Sequence, residues 1–309
     1  MDFFNKPIVK KLLFFLRLVV PVILLAILIT RVDFKTFLDH LRTYPPLSLL
    51  FAILLVVIAN MFFALRWHYI LTCVNAKVSL YQVFRLTFFS LFLSNFLPTS
   101  IGGDLVKLVG IVDVADKQNN EIKVSSVIVD RLFSMLSKVL LLPFAVHFLS
   151  SITPKPGDVS ALSLGFSFIP ARIRDKINSY LASIKPWYSI KIILNIFLIS
   201  WISLAFTSAA YWVVAQPFNS SVPFLHILYI AIITYFAIIL PISINGIGVQ
   251  ELSYITLLSL MQFTYEQAWT VALIIRMITI IISLFGGIWM ILDGKELLTV
   301  IRNRNKTVQ

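Results

Sequence analysis

Long apolar runs, separated by short polar segments, dominate the chain. Five of them approach or exceed the about 20 apolar residues that a membrane-crossing helix needs: residues 12–30, 47–65, 124–148, 190–214 and 269–292. None alternates apolar and polar positions as a membrane β-strand would. The pattern therefore predicts an all-α, polytopic integral membrane protein built as a helical bundle.

Two other apolar regions are interrupted. Residues 84–97 run into N-F-L-P-T-S-I-G-G-D at positions 95–104, and 105–114 follow it; residues 225–240 and 249–261 flank P-I-S-I-N-G-I-G. Closely spaced proline and glycine do not continue a helix, and irregular backbone at membrane depth must be buried in protein or line a watery cavity. We therefore predict two broken or re-entrant helix hairpins. The residues predicted to form the breaks are Asn95, Pro98, Ser100, Gly102 and Gly103 in the first, and Pro241, Ser243, Asn245, Gly246 and Gly248 in the second.

The two breaks resemble each other. The pattern P-x-S-I-x-G begins at Pro98 and again at Pro241. Each motif is followed by an acid and then by an arginine in the next long helix: Asp104 and Arg131 in one half, Glu251 and Arg276 in the other. The proline-to-arginine spacings are 33 and 35 residues. Coincidence among common residue types is the alternative, but the combination favours an internal repeat, and analogy with transporters favours inverted topology.

The chain is predicted to form a single membrane domain. The domain spans 1–309, and its parts are the first pseudo-repeat 12–149, the linker 150–189, the second pseudo-repeat 190–292 and the basic tail 293–309. Basic residues near both ends favour cytoplasmic termini in the cell membrane and an even number of crossings. Either the apolar patch 160–170 or a full crossing by the first broken region supplies the additional crossing.

Ionisable residues inside the apolar regions are the candidates for binding a substrate. They are Asp104, Lys107, Asp130, Arg131, Glu251 and Arg276. Glu251 is predicted in the first turn of a new helix, where unpaired N–H groups carry partial positive charge. Pairing of acid with arginine across the repeat interface would leave a polar cavity between the halves. The alternative is that such ion pairs only fix helix packing.

Helical spacing adds one prediction, and the end of the second apolar run adds another. Arg131, Ser134 and Lys138 share one helix face, which should look into the protein. Arg66 and Trp67 follow the second run directly, and a basic residue beside aromatics is typical of an interface anchor.

Composition excludes several classes of function. A chain that is 59% hydrophobic places its net charge of +12 at helix ends, which argues against nucleic-acid binding. Cys73 is the single cysteine, and the four histidines are scattered, so we expect no disulfide, metal or cofactor. No catalytic motif is visible, which favours a role other than that of an enzyme without deciding the question.

Three segments resemble the lysylphosphatidylglycerol synthase transmembrane (flippase-type) family: N-F-L-P-T-S-I-G-G-D-L-V-K-L, V-I-V-D-R-L-F-S and L-P-I-S-I-N-G-I-G-V-Q-E. The resemblance covers residues 12–292, and its most specific parts are G-x-G-x-x-E and Asp130-Arg131. This chain has Asp104 and Lys107 where the family often has G-E-x-x-R, and Asp130 where it often has Glu; both departures keep the charge. Bifunctional members add a soluble aminoacyl-transfer domain, which this sequence lacks, so the synthase activity is not carried over.

The resemblance implies a lipid translocase (flippase-like) that moves a phospholipid or a lipid-linked glycan across the cytoplasmic membrane. The headgroup of the transported lipid would enter a polar cavity lined by Asp104, Arg131, Glu251 and Arg276. One alternative is an accessory enzyme that transfers a group to or from a lipid-linked donor, and another is a structural membrane subunit. The expected partner is a membrane lipid, with a homo-oligomer or a protein of the cell-envelope pathways as further partners.

Overall fold

The protein is described by a computed structural model covering residues 30, 33–95, 102–114, 120–152, 187, 189–239, 243 and 245–306, with the backbone alone at 113–114, 120–122, 152 and 291–306. Within these ranges every regular element is helical, which confirms the predicted class. The helices, in chain order, are α1 Phe34–Thr43, α2 Pro46–Thr72, α3 Leu80–Ser94, α4 Gly102–Val114, α5 Asn120–Val139, α6 Leu142–Ile152, α7 Ile190–Ala215, α8 Phe224–Ile239, α9 Val249–Ser259 and α10 Tyr265–Lys306. The first predicted span and the patch 160–170 lie outside the described residues.

Four segments of the described chain are long and apolar enough to cross a membrane. They are Pro46–Thr72, Lys123–Ser151, Ile190–Ala215 and Tyr265–Met290. Each contains or closely overlaps one of the predicted runs. Their outward faces carry exposed leucine, isoleucine and phenylalanine, as lipid-facing helices do.

The segment from Lys123 to Ser151 is two helices, although the sequence pattern predicts one long span. α5 ends at Val139 and α6 begins at Leu142. Pro143 explains the change, because it has no N–H to donate and its ring clashes with the carbonyl four residues earlier, at Val139. A short turn, in which the N–H of Leu141 donates to the carbonyl of Lys138 at 3.1 Å, joins the two helices.

Both predicted interruptions separate two short helices. α3 ends at Ser94 before α4 begins at Gly102, and α8 ends at Ile239 before α9 begins at Val249. Pro98, Ser100 and Pro241 lie outside the described residues. Whether the two regions re-enter the membrane, and whether they form a true repeat, stays a prediction.

Small residues allow the central helices to approach closely. α2 packs against α7 along most of its length, with Ala52, Ala59 and Ala210 fully buried. The hydroxyl of Ser203 donates to the carbonyl of Ala59 at 2.9 Å. Small side chains and interhelical hydrogen bonds of this kind are what hold helices together in lipid. α3 packs against α4 and α10.

The last helix extends further than predicted. α10 continues without interruption from Tyr265 to Lys306, through most of the tail predicted at 293–309. No proline follows Tyr265 in this stretch, so nothing in the sequence ends the helix at the membrane boundary.

Candidate functional site

A cavity of about 300 Å³ opens between α2, α3, α4, α5 and α8. This volume lies at the lower end of the range for small-molecule sites, which is about 300–1,000 Å³. Its lining is Asn60, Phe63, Arg66, Thr87, Ser90, Leu91, Ser94, Asp104, Lys107, Asp130, Arg131, Ser134, Tyr235, Ile238, Ile239 and Asn245. Four of the six residues predicted to bind substrate therefore line one cavity: Asp104, Lys107, Asp130 and Arg131.

Asp130 is a buried acid of the cavity that lies between two cations. The Nε of Arg66 donates to Asp130 Oδ1 at 2.7 Å, and the ammonium of Lys107 lies 3.6 Å from Asp130 Oδ2. The side chains of Arg66 and Asp130 are only 3% and 8% exposed. Arg66 also donates through Nη1 to the hydroxyl of Ser200 at 3.1 Å, and Lys107 lies 5.0 Å from the ring centroid of Trp67. A carboxylate with two cationic partners is stabilised in its charged form.

A second ion pair, Asp104 with Arg131, lies at a more open side of the cavity. Its side chains are 22% and 44% exposed. Asp104 stands in the first turn of α4, where the helix dipole favours an acid. Gly103 allows α4 to start this close to α3. A Cβ at position 103 would fall against Ser94 and would lie 2.8 Å from the carbonyl oxygen of Ser90. The start of α4, with Gly102 as its first residue, therefore lies directly on the backbone of α3.

The face of α5 that was predicted to look inward does so most fully at Lys138, whereas the side chain of Arg131 is 44% exposed. Arg131 and Ser134 line the cavity. Lys138 is buried behind them, and its ammonium donates to the carbonyl and the hydroxyl of Ser134 at 3.0 and 3.2 Å. The same ammonium lies 4.2 Å from the ring centroid of Tyr235 on α8, a cation–π contact.

The second break is braced by Glu251 and Arg276. Glu251 lies in the first turn of α9, as predicted, and accepts the N–H of Gly248 at 2.7 Å. Its other oxygen accepts the Nε of Arg276 at 2.5 Å. The guanidinium of Arg276 then donates to the carbonyls of Asn245 and Gly246 at 3.3 and 3.2 Å. One buried ion pair thus satisfies three backbone groups of the irregular segment.

The backbone of this break requires its residue types. Asn245, Gly246 and Gly248 have φ angles of 47°, 71° and 79°. Glycine adopts positive φ without penalty, and asparagine is one of the few other residues that tolerates it. Ser243, also predicted as part of the break, is buried beside them.

Each arginine pairs with the acid of its own half. Arg131 binds Asp104 and Arg276 binds Glu251, so the predicted pairing across the repeat interface is wrong. The acid and arginine are 27 residues apart in one pair and 25 in the other. Glu251 and Arg276 do not belong to the cavity lining; they lie behind Asn245, which does. A contact of these two residues with substrate stays a prediction.

The sequence reasoning missed Arg66 as a site residue. Its prediction as an interface anchor, together with Trp67, is wrong, because the two residues are 3% and 0% exposed. Asp130 neutralises Arg66, and the indole of Trp67 donates to Ser126 Oγ at 3.1 Å. The available signal was the apolar Ile70-Leu71 beyond the basic residue, since α2 continues to Thr72.

These features define a multi-pass α-helical membrane protein with a charged cavity between its helices. The chain matches the family described as the lysylphosphatidylglycerol synthase TM region over residues 14–287. It belongs to that family, which is membrane-associated and lipid-related, and the resemblance predicted over residues 12–292 is confirmed. No match was found among the curated proteins.

Proposed function

We propose that the protein is a lipid translocase, flippase-like, that moves a phospholipid or a lipid-linked glycan across the cytoplasmic membrane. The observation that carries this proposal is the Arg66–Asp130–Lys107 cluster in the cavity of a chain whose outer surface is apolar. Charged side chains inside a membrane protein are costly and mark the pathways of polar or charged substrates. The cavity would take the headgroup while the acyl chains stay in the bilayer.

An apolar groove next to the cavity supports an amphiphilic substrate. It has a volume of about 460 Å³ and is lined by Val57, Phe84, Phe88, Phe285, Ile288 and Trp289. Residues three or four apart on a helix are neighbours on its surface. Phe88 of the groove is therefore one turn from Leu91 of the cavity, and Val57 of the groove is one turn from Asn60 of the cavity. A lipid with its headgroup in the cavity can lay a chain in this groove.

Reconstitution tests the proposal directly. The protein is inserted into vesicles with a headgroup-labelled phospholipid, and the appearance of the headgroup at the opposite leaflet is followed over time. We expect faster crossing than in protein-free vesicles, and a loss of about tenfold or more in Asp130→Asn, since each tenfold corresponds to about 1.4 kcal/mol of lost stabilisation.

A matched control is Asp39→Asn, the same chemical change at an exposed carboxylate of α1, which should leave the rate unchanged. Equal rates with and without the protein would overturn the proposal, as would an Asp130→Asn variant that is folded and fully active. Mass spectrometry of the recovered lipid distinguishes a translocase from an accessory enzyme. A covalently altered headgroup would indicate the enzyme.

A further inference from the structure

We infer that the cavity selects a lipid whose headgroup carries a net negative charge, a phosphate group without an amine. This inference rests on the proposed function and names the substrate class for the same site. It follows from the charges around the cavity and from which of them already have partners.

Cations outnumber acids around the cavity. Among its described lining residues, Arg66, Lys107 and Arg131 are cationic, and Asp104 and Asp130 are acidic, which leaves an excess of one positive charge. Lys138 lies directly behind this lining, with its ammonium against the lining residues Ser134 and Tyr235. In the described part of the chain, Lys138 has no carboxylate within salt-bridge distance. Uncompensated charge inside a membrane protein is unfavourable, and a bound anion would compensate it.

The acids of the cavity are not available for an amine. Asp130 already accepts Arg66 and faces Lys107, and Asp104 is paired with Arg131. An ammonium group on the headgroup would therefore meet a positive surface without a vacant carboxylate. A zwitterionic or aminoacylated headgroup would have to break an existing ion pair to enter.

Lys107 is the cation best placed to accept an anion. The ammonium nitrogen of Lys107 lies 3.6 Å from Asp130 Oδ2, which is longer than a direct hydrogen bond. In the part of the chain that the structure describes, its other contact is with the ring face of Trp67, which also takes no hydrogen bond. The N–H donors of the ammonium are therefore free to bind a phosphate oxygen, and Arg66 and Arg131 line the same cavity. Charge-assisted hydrogen bonds to phosphate are among the strongest that side chains make.

Lipid binding to the purified full-length protein in detergent tests the inference. The probes are phosphatidylglycerol and a polyprenyl monophosphate as anions, phosphatidylethanolamine as a zwitterion and lysyl-phosphatidylglycerol as a cation, with affinities measured by native mass spectrometry. We expect both anionic lipids to bind at least about tenfold more tightly than the other two. Inorganic phosphate separates the sources of the anion: competition shows that the phosphate group alone is recognised, and absence of competition shows that the lipid chain is required as well.

Two substitutions assign the effect to the cavity. Lys107→Gln should lower the affinity for anionic lipids by about tenfold and remove the preference, whereas Lys107→Arg, which keeps the charge, should retain the preference. Lys191→Gln makes the same change at an exposed lysine of α7 and serves as the matched control. If Lys107→Gln does not fold, as judged by size-exclusion chromatography, Arg131→Gln at the more exposed ion pair takes its place.

Equal affinity for phosphatidylglycerol and phosphatidylethanolamine would overturn the inference, and so would tighter binding of lysyl-phosphatidylglycerol. These outcomes are distinguishable from a failure of the proposed function. Selective binding of anionic lipids without headgroup crossing would overturn the proposed translocase function and leave the inference standing. Headgroup crossing without any headgroup preference would overturn the inference and leave the translocase function standing.

Discussion

The side chains of Asn95 and Asn245 are joined by a hydrogen bond of 2.6 Å across 150 residues of sequence. Asn95 caps the end of α3 and donates in turn to Ser283 of α10, also at 2.6 Å. Asn245 belongs to the second break and lines the cavity. The pair therefore ties the end of α3 to the second break beside the polar cavity, and any movement that separates these elements must break the bond.

Replacement of Asn245 by glycine tests this link. Glycine accepts the φ of 47° without strain, so the change removes the side-chain bond and leaves the backbone geometry accessible. We expect about 1 kcal/mol less stability, the usual net contribution of a hydrogen bond. Hydrogen exchange at the amides of Gly246 and Gly248 should become faster, and mass spectrometry of peptic fragments measures it.

Asn75→Gly provides the control for that experiment. Asn75 has a similar φ of 56° but is exposed, and its side chain has no hydrogen bond in the described part of the chain. Its replacement should change stability by no more than a few tenths of a kcal/mol. Equal losses in the two variants would show that the Asn95–Asn245 bond contributes nothing.

The Glu251–Arg276 pair should behave as a structural brace. Glu251 is 2% exposed, so Glu251→Gln leaves a buried guanidinium without its counter-charge. Breaking one side of a buried ion pair costs about 3–5 kcal/mol. The midpoint of thermal unfolding in detergent should fall accordingly, whereas lipid binding per folded molecule should be retained. Loss of binding at unchanged stability would instead support the predicted contact with substrate.

A double-mutant cycle sharpens this test. Glu251→Gln combined with Arg276→Gln removes both charges, and we expect its loss to be smaller than the sum of the single losses because the two residues are coupled. Glu266→Gln makes the same change in the first turn of α10, where a helix-terminal charge contributes about 0.3–1 kcal/mol. Additive losses at Glu251 and Arg276 would contradict the brace.

Local rules of helix formation were enough to predict the elements of the site. Proline and glycine that lie close together interrupt a helix, so the interruptions and the position of Glu251 in the first turn of α9 followed from the sequence. The spacing of Arg131, Ser134 and Lys138 also predicted their common face, since a helix fixes which residues are neighbours on its surface.

Partners distant in the chain were beyond those rules. An arginine at the end of an apolar run looks the same whether it faces lipid headgroups or a buried carboxylate, and for Arg66 the deciding residue, Asp130, is 64 positions away. The pairing of each arginine within its own half likewise depends on how α4 lies against α5 and α9 against α10. Tertiary packing, which leaves no periodic trace in the sequence, sets both.

The crossing of α3 and α10 depends on Gly286. A Cβ at Gly286 would fall against the backbone carbonyl of Phe88, whereas a Cβ at Gly287 would meet only the ring of Phe92. Backbone atoms cannot move aside as a side chain can, so Gly286→Ala should destabilise the protein more than Gly287→Ala does. The expected loss for Gly286→Ala is about 1–3 kcal/mol, the usual cost of overpacking. Thermal unfolding of both variants checks the order, and a larger loss for Gly287→Ala would contradict the close approach of α3 and α10.

Arg66 distinguishes a buried site residue from an interface anchor. Arg66→Gln leaves Asp130 with only the more distant Lys107 as its cation, so we expect a loss of about 3–5 kcal/mol, as for other broken buried pairs. The hydrogen bond to Ser200 disappears as well. Arg42→Gln, at an exposed arginine in the last turn of α1, should cost no more than about 1 kcal/mol, because exposed charges contribute little. Thermal unfolding in detergent compares the two variants. In addition, the double variant Arg66→Gln/Asp130→Asn removes both charges of the pair, so it should recover part of the stability that Arg66→Gln loses. A double variant less stable than Arg66→Gln would show that the two residues do not act as a pair.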